Sequence, residues 1–164
     1  MKLVKLDPTY RTLLYELMEE WSKERQITPW AVRRIDYKSD FDLYLESLEN
    51  GFKTIKESTF FLLDEDENRF IGAVNIRHEL NEMLLLKTGH IGYGLRPSAR
   101  GKGYAKTMLK LALDECLKLG ITKVLVICDR DNLPSKHTIL SCGGVLENEI
   151  VYEGHNMLRY WITI

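Results

Sequence analysis

No apolar run in this sequence approaches the roughly 20 residues needed to cross a bilayer, so it contains no candidate membrane span. Cysteine is scarce. There are three in 164 residues, Cys116, Cys128 and Cys142, odd in number, far apart and set among apolar neighbours. That pattern excludes a disulfide framework and a zinc ligand set, and no metal site is expected; it reads as free thiols in a reducing compartment. Charge of one sign is missing too. Twenty-three Lys and Arg against 24 Asp and Glu leave a net −1, so no global basic field exists for nucleic acid or anionic lipid. Low-complexity tracts, internal repeats and Pro/Gly/Ser-rich linkers are also absent. Together these absences predict one domain over residues 1–164. The opening Met1-Lys2-Leu3-Val4-Lys5 lacks the apolar run of a signal peptide. It predicts a cytoplasmic protein with no nucleic-acid and no membrane partner.

What is present is an ordinary globular composition, 45% hydrophobic and 29% charged, long enough to bury about two thirds of its unfolded surface. A short strand over Lys2–Leu6 is followed by Asp7-Pro8, a helix N-cap with Pro at the first helical position. Leu13, Leu14, Leu17, Met18 and Trp21 then recur at helical spacing to about Lys23. Thr28-Pro29-Trp30 breaks that pattern. A second helix runs from about Asp40 through Phe41, Tyr44, Leu45 and Leu48 to Asn50-Gly51. Strands are predicted over Ser58–Leu63, Phe70–Arg77 (with Gly72 at a bulge) and His90–Arg96, while Glu79–Lys87 reads equally as loop. A long amphipathic helix spans Gly101–Leu119, with Ala105, Leu109, Ala112 and Cys116 along one stripe. Val124–Cys128 is a buried strand, Asn132–Cys142 a shorter helix closed by Gly143-Gly144, and Val145–Tyr152 and Met157–Thr163 are the last two strands. The fold class is α/β (α+β), a mixed central sheet of about seven strands flanked by about four helices.

The chemistry concentrates in His90-Ile-Gly-Tyr-Gly-Leu-Arg-Pro-Ser-Ala-Arg-Gly-Lys-Gly-Tyr-Ala105. This is a strand, a tight turn holding two glycines, and the first turn of a helix. The opening turn of a helix has unpaired N–H groups and the positive end of the dipole, and glycines let that backbone approach a phosphate closely. Arg96, Arg100, Lys102 and Lys106 add positive charge beside it. The segment is not a P-loop, which needs two glycines five apart followed by Lys-Ser/Thr. Nor is it a Rossmann fingerprint, because Gly101-Lys-Gly103 is followed at the third position by Lys106.

Arg100-Gly101-Lys102-Gly103-Tyr104-Ala105 resembles the Gln/Arg-x-x-Gly-x-Gly/Ala motif of the GNAT N-acetyltransferases, preceded by a strand and Pro97 as in that family. Asp129-Arg130-Asp131-Asn132, followed by Ser135, Ile139 and Gly143, resembles the family's second cofactor-binding region. Gly89-His90-Ile91-Gly92-Tyr93 and Gly143-Gly144 look most like a bacterial branch of predicted acetyltransferases. The resemblance implies acetyl-CoA as cofactor. It implies a CoA pyrophosphate held by the backbone from Arg100 to Ala105 (Arg100, Gly101, Lys102, Gly103, Tyr104, Ala105). Leu95 and Arg96 would then lie on the strand edge that pairs with the pantetheine arm, and Asn132 and Ser135 would line its channel. The strands carrying Leu95 and Val126 should splay to admit the thioester, and a strand N–H should polarise its carbonyl. The acceptor implied is a small-molecule or peptide amine, and a homodimer stays open.

Acyl transfer to an amine also needs a base for the nitrogen and a proton source for the leaving sulfur. Many family members use a tyrosine in the last helix as general acid, but that slot is Ile139 here. For the base, His90 and His78 have the right chemistry, with Tyr93 and Glu79 as lesser candidates. A structural role is the competing reading for both histidines. Strand parity sets His90 on a face with Gly92 and Gly94, opposite Ile91, Tyr93 and Leu95. Cys142 lacks an activating histidine and is a poor nucleophile candidate. Trp21, Trp30, Phe41 and Tyr44 would by resemblance overlie the acceptor site, with plain core packing as the alternative. Against a working enzyme stand two other readings, a catalytically silent acyl-CoA sensor and a nucleotide-binding protein using the same loop.

Overall fold

The computed structural model describes residues 1–23, 29–50 and 55–164. Thr28 and Gly51, where a break and a helix end were expected, lie outside that range. Seven strands form one sheet in the order β1-β2-β3-β4-β5-β7-β6. They are β1 Lys2–Val4, β2 Glu57–Asp64, β3 Arg69–Arg77, β4 Ile91–Leu95, β5 Lys123–Asp129, β6 Val145–Tyr152 and β7 His155–Thr163. Six α-helices are described: α1 Arg11–Trp21, α2 Trp30–Arg33, α3 Phe41–Asn50, α4 Glu82–Lys87, α5 Tyr104–Lys118 and α6 Leu133–Ser141. The sequence anticipates four of these; the short α2 and α4 are additional.

Local chemistry sets the boundaries. Asp7 accepts from the Thr9 amide at 2.7 Å and opens a 3-10 turn, Pro8–Tyr10, which runs into α1. Asp40 Oδ1 caps α3 through the Leu43 amide at 2.9 Å. Asn81 caps α4 through the Leu84 amide at 2.9 Å. That cap makes Glu82–Lys87 helical although its apolar residues do not form an inward stripe; Met83 and Leu86 are exposed. Alternation along β2 and β3 feeds two cores. Phe60, Leu62, Ile71, Val74 and Ile76 join the layer under α5 and α6, while Phe61, Leu63, Phe70 and Ala73 pack on α1 and α3. Both faces are covered, so β2 reads as a continuous apolar run rather than an alternating one.

The sheet is continuous on either side of its middle and thin in the middle. β3 and β4 pair antiparallel from Gly72↔Leu95 to Ile76↔Ile91, and β5 pairs along its whole length with β7, from Lys123↔Thr163 to Asp129↔Met157. The parallel ladder between β4 and β5 holds a single pair, Ile91↔Val126. Beyond it the two strands separate, as the splayed-strand expectation required.

Gly72 does sit beside a bulge, where the register moves from Leu62↔Gly72 to Leu63↔Phe70. A Cβ there would collide with the Gly94 carbonyl oxygen and stand 3.1 Å from Leu95 Cα. Backbone atoms cannot swing aside as a flexible side chain can. Gly72→Ala is therefore expected to lower unfolding free energy by about 1–3 kcal/mol, the usual range for overpacking, measured as the urea midpoint. An unchanged midpoint would contradict the close approach of β3 to β4.

Candidate active site at the divergence of two strands

After β4 the chain makes a 3-10 turn, Pro97–Ala99, and then the glycine turn that starts α5. Gly101 and Gly103 hold φ of 74° and 81°, the left-handed region that costs a residue with a Cβ about 1–2 kcal/mol. A Cβ at either would meet nothing within 4 Å, so the turn faces open space. Gly103 is the N-cap of α5 and offers no side chain to it. The opening amides of a 15-residue helix thus point outward uncapped, with Arg100, Lys102 and Lys106 beside them. This arrangement suits a polyanion.

The turn is clamped from behind. Glu20 of α1 accepts from Arg96 Nε at 2.5 Å, from the Ser98 amide at 2.6 Å and from Ser98 Oγ at 3.1 Å. Burial works to raise the Glu20 carboxyl, but the Ser98 amide, Arg96 and the Ser98 hydroxyl outweigh it and hold the carboxyl below its usual range. Arg96 also donates to the Phe70 carbonyl at 3.0 Å. Its guanidinium faces α1 and β3 and fastens the turn from the side opposite the open one. The Leu95 carbonyl accepts from Trp21 Nε1 at 3.1 Å and from Arg100 Nε and Nη2 at 3.3 and 3.2 Å.

Hydrogen-bond parity decides what β4 presents to the gap. The His90 carbonyl accepts from the Arg77 amide and the Arg96 amide donates to Ile71. By alternation, Gly92 and Gly94 then face β3 with their main-chain groups, while Tyr93 and Leu95 turn theirs toward the opening. The gap holds a cleft of ≈ 260 Å³ bordered by Ile91, Gly92 and Tyr93 of β4, Cys128 and Asp129 of β5, and Ser135 of α6. A larger cavity of ≈ 540 Å³ adjoins it, sharing Trp30, Arg77, Lys87 and Thr88 and extending to Ile55, Met83 and Leu84.

Several anticipated residues converge on the cleft. Tyr93, Asn132 and Ser135 all line it. Asn132 caps α6 through the Ser135 amide at 3.1 Å, and Ser135 Oγ meets the Tyr93 hydroxyl at 3.0 Å. Burial pushes the Tyr93 phenol up to about 12, against the lowering effect of Ser135. Ile139 is fully buried in the core. The histidines lie elsewhere. The His90 amide donates to the Leu125 carbonyl at 2.8 Å, and its Nδ1 accepts from the Leu125 amide at 2.9 Å. That lone pair is engaged, which places the proton of the neutral ring on Nε2. Burial, with the Arg77 charge added, pushes His90 down to about 4. His78 Nε2 pairs with Ser58 Oγ at 2.9 Å. Neither histidine borders the cleft or the larger cavity. Cys142 stays outside both, and burial raises its thiol. Of the aromatic set, Trp21, Phe41 and Tyr44 are core, whereas Trp30 is 53% exposed and borders both cavities. Sequence reasoning missed Arg77 and Lys87, whose place in the cleft depends on tertiary contacts, and named Asp129 only as part of the segment leading to Asn132. Among the described residues no His/Cys/Asp/Glu cluster could hold a metal ion, and no helix is long and apolar enough to cross a membrane.

The glycine turn at the head of α5 thus lies at one end of a split between two parallel strands of a mixed sheet. A family model described as acetyltransferase (GNAT) domain matches residues 2–145. The chain belongs to the GNAT acetyltransferase family, which uses acetyl-CoA, and is an acyltransferase. Curated protein sequences give no match. Among solved structures, the ribosomal-protein-S5-alanine acetyltransferase of Vibrio fischeri superposes with a TM-score of 0.72 at 16% identity, covering 98% of this chain and 91% of that one. A mutant of the Vibrio cholerae spermidine N-acetyltransferase SpeG gives 0.70 at 23% identity, covering 99% and 95%. The microcin C7 self-immunity acetyltransferase, in complex with acetyl-CoA and AMP, gives 0.69 at 20% identity, covering 99% and 91%. At these identities the likeness is one of fold.

His90 carries a pH signature. Its pKa is lower folded than unfolded, so between about 4 and 6.5 the unfolded chain binds more protons,. Its contribution to stability is complete above pH 6.5 and is lost as pH falls toward 4. His90→Asn, which keeps an acceptor for the Leu125 amide, is expected to flatten the decline in melting temperature across that window. An equally steep decline in the variant would assign the effect to other groups.

Proposed function

We propose that the chain is one cytoplasmic domain that transfers an acetyl group from acetyl-CoA to a primary amine, directly, with both substrates bound. The single observation that carries this reading is the separation of β4 from β5 beyond Ile91↔Val126, on a strand that leads into an uncapped glycine turn. Acetyl-CoA, when bound, supplies an acyl group activated by a good sulfur leaving group. The amides from Gly101 to Ala105 hold the pyrophosphate, with Arg100, Lys102 and Lys106 adding charge. Arg96 acts from behind the turn and keeps its shape. The gap-facing amides of Tyr93 and Leu95 bind the extended pantetheine arm and polarise the thioester carbonyl, where negative charge develops during attack. Asn132 and Ser135 border the sulfur end of the channel.

Tyr93 is the proton donor on this reading. Its phenol is kept protonated by burial, so at neutral pH it can give a proton to the departing sulfur but not take one from the amine. It stands in for the tyrosine that Ile139 replaces. His90 and His78 have structural roles, and the amine proton leaves through water or Asp129, the one carboxylate among the described residues that borders the cleft. The replaced tyrosine is also what favours the second reading, a silent acyl-CoA sensor. Release of free thiol in the presence of an amine panel separates the two, because a sensor binds the coenzyme without turnover.

Gly103→Val is expected to abolish CoA binding by calorimetry in a variant whose circular dichroism is unchanged, since its side chain enters the phosphate's space. Retained affinity in a folded variant would count against the turn. Tyr93→Phe is expected to lower kcat by about tenfold to hundredfold, within the range for a general acid, with little change in affinity for acetyl-CoA. Unchanged kcat would remove Tyr93 from proton transfer.

A further inference from the structure

The charge lining the two joined cavities is unequal. Among the described residues, four cationic side chains, Arg33, Arg34, Arg77 and Lys87, face two carboxylates, Glu57 and Asp129. Glu57 is already ion-paired with Arg34 in a buried contact, and Lys87 reaches Glu153 at 3.2 Å. Arg33 lies over the Trp30 ring at 5.2 Å. Arg77 is different. Its main-chain amide anchors the end of β3 to His90, and its guanidinium crosses to β4, where a Cβ on Gly92 would stand 3.8 Å from both Nη1 and Nη2. Nη1 donates to the Gly89 carbonyl at 3.2 Å, and no described carboxylate is within ion-pair distance of it. Burial lowers its pKa, and nearby Arg34 adds to that, while Glu57 opposes it. A half-buried guanidinium with a free edge on a cavity is a ready partner for a planar anion.

Arg77 borders both cavities, the narrow one where transfer takes place and the wide one floored by Ile55, Met83 and Leu84. Resting on the acetyl-transfer reading above, we propose that the acceptor is a small α-amino acid with an apolar side chain, its carboxylate bound by Arg77. The amine then enters the strand gap, the adjacent carboxylate meets the guanidinium at the junction, and the side chain points into the wide cavity against Ile55, Met83 and Leu84. At ≈ 540 Å³ that cavity has the size usual for small ligands. A polyamine would bring further positive charge into the same field, and a peptide N-terminus carries no carboxylate beside its amine.

The test is thiol release at saturating acetyl-CoA with L-leucine, L-leucinamide, phosphoethanolamine and spermidine. Leucine is expected to exceed leucinamide in kcat/KM by about tenfold to hundredfold, the range for a hydrogen bond to a charged group. Arg77→Gln should bring that ratio toward one, mainly through KM, without changing affinity for CoA. Calorimetry on the unaltered protein gives a second measurement: N-acetyl-leucine should bind more tightly than N-acetyl-leucinamide. Equal or better turnover of leucinamide or spermidine overturns the proposal and leaves acetyl transfer standing, whereas faster phosphoethanolamine overturns the carboxylate. Acetyl-CoA binding without thiol release on any amine counts against acetyl transfer instead. The N-acetyl-leucine comparison then decides the anion pocket separately, and equal affinities reject it.

Discussion

One parallel pair, Ile91↔Val126, with the Gly89↔Val126 bridge just before it, joins the two halves of the sheet, and the rest of the site depends on the ladder going no further. A parallel pair normally runs the length of its strands, because an unpaired main-chain group buried between them is costly. Here each strand is secured on its other side, β4 by five registered pairs to β3 and β5 by seven to β7. The sheet can open in the middle because it is fully bonded on either flank. His90 marks where the opening starts. Its two bonds to Leu125, one from the amide and one to the ring, close the strands immediately before they part.

The same economy governs the glycine turn. Its outer surface is empty, and its inner surface is held by Glu20, Arg96 and Ser98. Rigidity on one side is what leaves the other side available, since a turn that satisfied its own amides would have none to offer. Helix α1 thereby braces the glycine turn, although it covers the opposite face of the sheet from α5.

Much of this is legible in the residues. Gly101 and Gly103 announce a turn with left-handed backbone, and both adopt it; the stripe Leu109, Ala112, Cys116 is buried as its period requires. Asn132 is a cap and Ser135 its partner. Other features are not, for identifiable reasons. Glu82–Lys87 has four apolar or aliphatic positions without a consistent inward face, so only its Asn81 cap betrays a helix. Arg77 ends a strand like many surface arginines, and nothing local reveals that it crosses over Gly92. Side-chain type made His90 attractive as a base. Strand parity argued against it, and the engaged Nδ1 supplies the structural reason. Trp21 and Trp30 look alike in sequence, yet one is core and one borders the cavities; their difference lies in which helix face each occupies.

The Leu95 carbonyl has a consequence of its own. It accepts from three donors on two side chains, Trp21 and Arg100, at the last residue of β4. A carbonyl oxygen has two lone pairs, so that position is saturated. Any extended molecule laid along the strand can use the Leu95 amide but must end its register there, as a ruler ends at its stop. The spacing between the turn and the point of strand divergence is thereby built into the main chain, and a guest of the wrong length would arrive with its reactive end out of place.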